Sequence, residues 1–187
     1  MVTDSSQRQP TDLELIERAR QGDGLAFHGL VDRYADYLYS LAVSLSGNVS
    51  DAEDIVQETF TGAFRGLAAF QGRASFKTWL THILIRQRAR HLRSTRKGGA
   101  TILPLDAAAA AYLAAPSPHG ASDVRIDMAA AIGSLSPEHQ EVIALREMQG
   151  LAYEAIAEVL DIPRGTVESR LFRARRELQD RLKGYLE

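Results

Sequence analysis

Residues 151–178 read LAYEAIAEVLDIPRGTVESRLFRARREL, and the spacing of their apolar residues indicates two helices separated by a tight turn. A short helix over 151–160, a turn at 161–163 and a longer basic helix over 164–182 predict a helix-turn-helix. The apolar residues of the second helix recur at helical spacing and form a predicted buried stripe: Val167, Leu171, Ala174 and Leu178.

The opposite face of this second helix carries arginines, one aromatic residue and short polar side chains. Such a face can enter the major groove of DNA, where arginines hold phosphates and other side chains read base edges. A solvated basic helix in a small bundle is the alternative that the pattern leaves open. The candidate DNA-binding residues are Arg164, Thr166, Glu168, Ser169, Phe172, Arg173 and Arg176.

The N-terminal part of the chain also has helical periodicity. Thr11 or Asp12 can cap a first helix, and its predicted apolar positions are Leu13, Ile16 and Ala19. A second helix follows the glycine-rich segment QGDG at 21–24. Its apolar residues are Phe27, Leu30, Val31, Tyr34, Leu38, Leu41 and Leu45.

A third helix begins within SGNVSDAEDIVQETF, residues 46–60, where Ser50 and Glu53 have the spacing of a capping box. A fourth runs from about Phe76 to Arg93. Since no segment has a convincing strand pattern, we predict an all-α fold.

Composition divides the chain into two small helical domains joined by a flexible linker. The predicted parts are a disordered N-terminus at 1–11, a first domain at 12–95, a linker at 96–122 and a second domain at 123–187. The linker is rich in glycine, proline, serine and alanine and has few large apolar residues to bury. In the second domain Ser136 can cap a helix that has Pro137 at its first position and ends at Gly150.

Charge is distributed unevenly. Residues 1–60 contain eleven acidic residues and four arginines, whereas residues 73–97 contain eight basic residues and no acidic one. A helix with one buried face and one arginine row can track a phosphate backbone, and a neighbouring loop with aromatic and polar groups can hold unstacked bases. Trp79 is predicted as a core residue. The candidate nucleic-acid-binding residues of this loop and helix are Phe70, Arg73, Ser75, Lys77, His82, Arg86, Arg90 and Arg93.

The acidic segment 46–60 leaves several interpretations open: a metal site, a catalytic carboxylate pair, a solvated helix face or a docking surface for a protein. The five histidines form no ligand-spaced pair, so we expect no metal and no cofactor. The absence of cysteine excludes disulfides and thiol nucleophiles and suits a reducing cytoplasm. No stretch is long and apolar enough to predict insertion into a membrane.

Four segments together resemble the extracytoplasmic function (ECF, group 4) sigma factors of bacterial RNA polymerase. These are DLELIERARQGDGLAFHGLVDRY, DAEDIVQETFTGAF, FKTWLTHIL and LSPEHQEVIALREMQGLAYEAIAEVLDIPRGTVESRLFRARREL, in the order and at the separations of that family. The resemblance implies a sigma-2 bundle and a sigma-4 helix-turn-helix domain. It also implies a subunit of promoter specificity, with the chemistry performed by the polymerase rather than by this chain.

The resemblance further implies separate contacts for each segment. The third helix would dock on the β′ clamp helices of core RNA polymerase through Asp51, Glu53, Asp54, Gln57 and Glu58. Residues 70–93 would melt and read the −10 element as single strand, and the helix at 164–178 would read the −35 duplex while its domain sits on the β flap. The linker would thread toward the active site and RNA exit. Many relatives are held by an anti-sigma factor.

Four positions depart from the family pattern. Arg86 and Arg90 stand where relatives often have asparagine and aspartate, and Glu168 stands where a basic residue is common. Ala152 replaces a common serine or threonine cap, so the first helix of the turn is expected to fray more.

A helix-turn-helix regulator that never joins polymerase is the alternative function. It would need neither the acidic third helix nor the 70–93 block. A metal-dependent enzyme using Asp51, Asp54 and Glu58 is the remaining rival, and it lacks a histidine partner nearby in sequence.

Overall fold

The computed structural model describes residues 8–97, Ala109 and 131–182, and within these ranges it is all-α, as predicted. A 3₁₀ turn, Leu67–Ala69, follows the helix that ends at Gly66, and a π-helical turn, Ala144–Met148, continues the helix that ends at Ile143. The predicted linker, apart from its first two residues and Ala109, lies outside the described residues, as does the predicted domain start at Asp123. The helices are α1 (Asp12–Arg20), α2 (Gly24–Ser46), α3 (Val49–Gly66), α4 (Phe76–Lys97), α5 (Pro137–Ile143), α6 (Tyr153–Leu160) and α7 (Arg164–Leu182).

Helix α1 begins with the capping box of Thr11 and Glu14. The Glu14 backbone N–H donates to Thr11 Oγ1 at 3.3 Å, and the Thr11 N–H donates to the Glu14 carboxylate at 2.6 Å. The Thr11 N–H and the Thr11 hydroxyl, which donates to the same carboxylate at 2.9 Å, hold the pKa of Glu14 below its usual value. The prediction of Leu13 as a buried position is wrong, because Leu13 is 71% exposed and Leu15 takes its place in the core.

Helices α1 to α4 form the first bundle. Leu30, Leu38 and Leu41 of α2 are fully buried, and α3 and α4 pack against this face. Leu80 and Leu84 of α4 are also fully buried, one helical turn apart. Helix α4 extends beyond its predicted end to Lys97, so the first two residues of the predicted linker are helical.

The N-terminus of α3 differs from the sequence prediction. Asn48, rather than Ser50, is the cap, and its side-chain oxygen accepts from the Asp51 backbone N–H at 2.9 Å. Gly47 has φ of +67° and ends α2 directly before this cap. The turn between the two helices is thus shorter than predicted, and Ser50 is an exposed residue in the first turn of α3.

Helices α5 to α7 form the second bundle. The Ser136 cap and Pro137 at the first helical position are confirmed, since the His139 N–H donates to Ser136 Oγ. The sequence predicts a regular helix up to Gly150. In the structure the backbone widens into the π turn, and Gly150, with φ of +67°, then ends the helical segment. The helix-turn-helix of α6 and α7 is confirmed.

The two bundles are in direct contact, which the sequence prediction of two linked domains does not include. Helix α6 packs on α4, and the π turn packs on α2. Between them lies Arg88 of α4, only 3% exposed, which reaches residues of both bundles.

The cap of α3 gives a testable prediction. Asn48→Ala removes the acceptor for the Asp51 N–H and should lower the free energy of unfolding by about 1 kcal/mol. Ser50→Ala is the matched control, because Ser50 is exposed and does not cap the helix, and it should change stability by less than about 0.5 kcal/mol. Urea denaturation followed by circular dichroism measures both. A larger loss for Ser50→Ala than for Asn48→Ala would contradict this assignment of the cap.

Candidate nucleic-acid interface

The predicted division of α7 into a buried and an exposed face is confirmed. Val167, Leu171 and Ala174 are buried, and Leu178 is half-buried. Thr166 is half-buried at the start of the helix. The remaining predicted DNA-binding residues are all exposed: Arg164, Glu168, Ser169, Phe172, Arg173 and Arg176.

The turn before α7 determines how that face is presented. Asp161 adopts a left-handed conformation, with φ of +53° and ψ of +48°, and ends α6. The carbonyl oxygen of Pro163 then accepts from the N–H groups of Thr166 and Val167, which starts α7. Ala152, at the other end of α6, makes no side-chain cap bond, as the sequence suggests.

Ion pairs divide the charges of α7 into two groups. Arg164 lies 2.9 Å from carboxylate oxygens of both Glu154 and Glu168, so its single positive charge is shared and offsets the charge of Glu168 only in part. Arg175, which the sequence did not single out, pairs with Glu147 of the π turn at 2.6 Å. Arg173 and Arg176 form no ion pair with another described residue, and Phe172, on the same side of α7, is 67% exposed.

The basic row of α4 consists of Arg86, Arg90 and Arg93, and all three side chains are exposed on one face of the helix. His82, one turn earlier, is half-buried. Burial and the neighbouring Arg86 lower the pKa of His82, while Asp161 and Glu158 of the second bundle oppose that shift. His82 is thus predominantly neutral at pH 7, and the positive charge of this face comes from the arginines.

The loop before α4 surrounds an aromatic cluster. Phe70 is only 7% exposed, and its ring centroid lies 4.9 Å from that of Trp79 and 5.6 Å from that of Phe76. Trp79 packs against the core, as predicted. Phe70 and Trp79 form part of the wall of a cleft of about 240 Å³, and the exposed Arg73 lies at the same cleft.

Two of the predicted DNA-binding residues also make contacts within the protein. Ser75 Oγ accepts from the Thr78 N–H at 3.0 Å and caps α4. The Lys77 ammonium lies 4.1 Å from the ring centroid of Tyr37 on α2. Ser75 therefore stabilises the start of α4, and Lys77 attaches α4 to α2 through a cation–π contact.

Helix α3 carries an acidic ridge, which we define as Glu53, Asp54, Gln57 and Glu58. All four side chains are exposed, and none forms an ion pair with another described residue. Asp51 differs from them, because it is half-buried with its carboxylate 3.1 Å from His91 Nε2. The structure separates Asp51 from the rest of the predicted docking surface.

Among residues 8–97, Ala109 and 131–182, no three histidine or acidic side chains are grouped so that they could hold a metal ion. In the same part of the chain, no helix is long and apolar enough to cross a membrane. Sequence reasoning missed Arg88, Gln140 and Glu141, which meet between the bundles. Only the position of Arg88 in the buried register of Leu80 and Leu84 could have indicated this contact.

Two family descriptions match the chain. Sigma-70 region 2 matches residues 30–98, which include α3, α4 and the loop between them. Sigma-70, region 4 matches residues 125–178, which include the helix-turn-helix.

Curated relatives match over nearly their whole length. The ECF RNA polymerase sigma-E factor of Haemophilus influenzae is 35% identical over 183 residues, which cover 93% of this chain and 96% of that protein. The RNA polymerase sigma-H factor of Pseudomonas aeruginosa is 34% identical over 187 residues, covering 95% and 97%.

Solved structures show the same fold. The sigma factor RpoE of Bartonella quintana, crystallised with the anti-sigma factor NepR, superposes with a TM-score of 0.71 at 30% identity, covering 84% of this chain and 96% of that one. CnrH in complex with the cytosolic domain of CnrY has a TM-score of 0.69 at 26% identity, covering 92% and 97%.

The left-handed residue in the turn gives a second prediction. Asp161→Ala should lower the free energy of unfolding by about 1 kcal/mol, because alanine lacks the local bonding that lets aspartate adopt this conformation. Asp161→Gly is the control, since glycine adopts positive φ without a steric penalty and should keep or raise stability. Thermal denaturation distinguishes the two. Equal melting temperatures for both variants would contradict a conformational origin.

Proposed function

The chain belongs to the extracytoplasmic function sigma factors of the sigma-70 family, and on this basis we propose which of its surfaces performs each step of transcription initiation. As a member it joins core RNA polymerase and directs it to particular promoters by recognising −35 and −10 elements. The relatives are transcription factors rather than enzymes, and we expect no catalytic activity from this chain alone.

The −35 duplex is assigned to the exposed face of α7. Arg173 and Arg176 lack partners among the described residues, so their charges are available for phosphates or guanine edges. Phe172 offers an apolar contact for a thymine methyl group. Because Arg164 offsets part of the charge of Glu168, this glutamate can approach DNA at a smaller electrostatic cost than an isolated carboxylate.

The −10 strand is assigned to the basic row of α4 and the cleft at the 70–75 loop. Arg86, Arg90 and Arg93 can follow the backbone of an unpaired strand, and the cleft has room beside an aromatic wall for a base. Extrusion of a base costs a few kcal/mol, which stacking and phosphate contacts can offset. Ser75 and Lys77 support this surface by holding the start of α4 in place.

The acidic ridge of α3 is assigned to core polymerase. Its members are exposed, and none of them forms an ion pair with another described residue. Helix dipole alone does not account for Asp54 and Glu58, which lie beyond the first turn. A basic and polar partner surface such as the β′ clamp helices fits this charge, and the second bundle would contact the β flap.

The coexistence of two basic rows, on α4 and α7, with an acidic ridge on α3 carries this proposal, since Arg86, Arg90, Arg93, Arg173, Arg176 and the ridge form no ion pairs within the described part of the chain. A helix-turn-helix regulator would use only one of the basic faces and would leave the other two surfaces without a role. We also propose an anti-sigma partner, since two solved relatives are complexes, one with an anti-sigma factor and one with the cytosolic domain of CnrY. A cytoplasmic location follows from the polymerase partner.

Run-off transcription with core polymerase on genomic fragments, followed by start-site mapping, tests the function as a whole. Transcripts that depend on this chain and share sequence at −35 and −10 are the expected result. Duplex binding by the full chain without any transcript in the presence of core polymerase would instead support the regulator.

The acidic ridge gives a third prediction. Asp54→Arg and Glu58→Arg should each weaken binding to core polymerase at least tenfold, or about 1.4 kcal/mol, because reversed charges would oppose a basic partner. Asp36→Arg on α2 makes the same charge change at another exposed site and should leave the affinity unchanged. Fluorescence titration of labelled chain with core polymerase measures these affinities. Equal affinity for all variants would show that the ridge is a solvated helix face that does not contact core polymerase.

The α7 surface gives a fourth prediction. Arg173→Ala should weaken duplex binding and reduce the slope of log K against log salt by about 0.9, the loss of one phosphate contact. Arg175→Ala is the control, because its guanidinium is already paired with Glu147. Polymerase-bound promoter affinity over a salt series measures both. The assignment fails if Arg175→Ala reduces the slope as much as Arg173→Ala does.

A further inference from the structure

Arg20, the last residue of α1, reaches the backbone that leads into the loop assigned to the −10 strand. Its Nε–H donates to the Leu67 carbonyl oxygen at 3.1 Å, and its Nη2 group donates to the Phe70 carbonyl oxygen. Its Nη1 group lies 3.6 Å from the carboxylate of Glu17, one turn earlier on α1. Each nitrogen of the guanidinium therefore has a partner, and two of these partners are backbone groups far away in sequence.

The two backbone bonds of Arg20 satisfy carbonyl groups at the 3₁₀ turn, where the regular helical pattern ends. The Leu67 carbonyl oxygen also accepts from the Phe70 N–H at 3.2 Å, so Arg20 takes its second acceptor position. Leu67 and Phe70 are both buried, and a buried carbonyl group without a donor costs free energy. The guanidinium thus fixes the first residue of the turn and the residue that follows it.

The loop at 71–74 is held at its other end by Ser75, whose Oγ accepts from the Thr78 N–H at 3.0 Å. Within the loop Gly72 has φ of +69°, a conformation that glycine adopts without steric strain. A loop this short has few paths between two fixed ends. The bonds of Arg20 at its start therefore help to determine its shape.

The same loop forms one side of the cleft of about 240 Å³, since residues 69–74 all line it. The ring of Phe70 packs against that of Trp79, with 4.9 Å between their centroids, and both rings belong to the aromatic wall assigned to a base of the −10 strand. A shift of the Phe70 backbone would move this wall. The position of the wall therefore depends on Arg20, although Arg20 does not line the cleft.

The family description of region 2 does not include this contact from α1. It matches residues 30–98, which contain the loop and the cleft but not Arg20. The chemistry of the contact is specific to arginine, because a planar guanidinium offers donors in a rigid fork and a lysine ammonium is a point charge on a flexible stem. A fork that joins two carbonyl groups suits a role in geometry rather than in attraction of phosphates.

We propose that Arg20 is a positioning residue for promoter recognition, which acts through the backbone of Leu67 and Phe70 to set the shape of the loop that selects a −10 base in the cleft. The guanidinium performs this role without touching the promoter strand. This inference rests on the proposed assignment of the −10 strand to the cleft.

Three variants test the role of Arg20. Arg20→Ala removes both bonds to the backbone of the turn, and Arg20→Lys keeps the positive charge but lacks the rigid fork. Arg18→Ala is the matched control, since it removes an arginine of the same helix whose guanidinium donates to Asp23. Circular dichroism checks that each variant is folded, and each is then assembled with core polymerase.

Base discrimination within the −10 element measures the effect. The affinity of the assembled polymerase is determined for a fork-junction probe that carries the mapped −10 sequence as single strand, and for probes in which each −10 base is replaced in turn. At the position where the wild type discriminates most, Arg20→Ala and Arg20→Lys should each reduce the preference for the mapped base by about tenfold. Arg18→Ala should keep the wild-type preference.

The ratio of affinities separates positioning from a merely structural role. A side chain that only stabilised the fold would lower the fraction of active polymerase, and this loss cancels when two probes are compared in one preparation. Affinity for a duplex that carries only the −35 element is a further control. It should be equal in all four proteins, because α7 and its exposed face belong to the second bundle.

Unchanged discrimination in Arg20→Ala would overturn the proposal. Wild-type discrimination in Arg20→Lys would also overturn it, because charge rather than the fork would then be sufficient. The same holds for an equal loss in Arg18→Ala. If the wild type supports transcription but its −10 probes show no discrimination, the assignment of the cleft fails and this inference with it. Absence of any transcript with core polymerase would instead contradict the proposed function as a whole.

Discussion

The buried guanidinium of Arg88 is the constraint on which the arrangement of the molecule depends. A charge that is 3% exposed must have its hydrogen bonds satisfied, and it finds them in the Leu45 carbonyl of one bundle and in Gln140 and Glu141 of the other. Gln140 is itself held, since its amide donates to the carbonyl oxygens of Gly133 and Leu135. One side chain therefore links α4 directly to α5, beside the contacts of α6 with α4 and of the π turn with α2.

Helical periodicity predicts most of the fold because each bundle buries one face of each helix. The stripe of α7 is an example, with Val167 and Leu171 buried as expected. The errors are local choices between near-equal alternatives. Asn48 and Ser50 are both good caps, and the tight turn at Gly47 decides between them. Leu13 and Leu15 are two positions apart, and the rotation of α1 on its bundle decides which of the two leucines is buried.

For the candidate site, the sequence predicts which helix faces are exposed, but not which residues of other helices contact them. Arg86, Arg90 and Arg173 lie on solvent-facing surfaces because helical spacing separates them from the apolar stripes. Partners from distant parts of the chain are not encoded in that spacing. The Tyr37 ring below Lys77 and the Glu147 carboxylate beside Arg175 come from other helices, so their effect on charge availability emerges only in three dimensions.

Apolar burial is not confined to the interior of either bundle. Leu30, Leu38 and Leu80 are buried among the helices of the first bundle, and Ile156 and Leu171 among those of the second. The buried apolar residues of both bundles belong to one continuous cluster, so the contact of α6 with α4 and of the π turn with α2 buries apolar surface as well as the polar group of Arg88, Gln140 and Glu141. Burial of this apolar surface therefore stabilises the contact between the bundles in addition to the hydrogen bonds of Arg88.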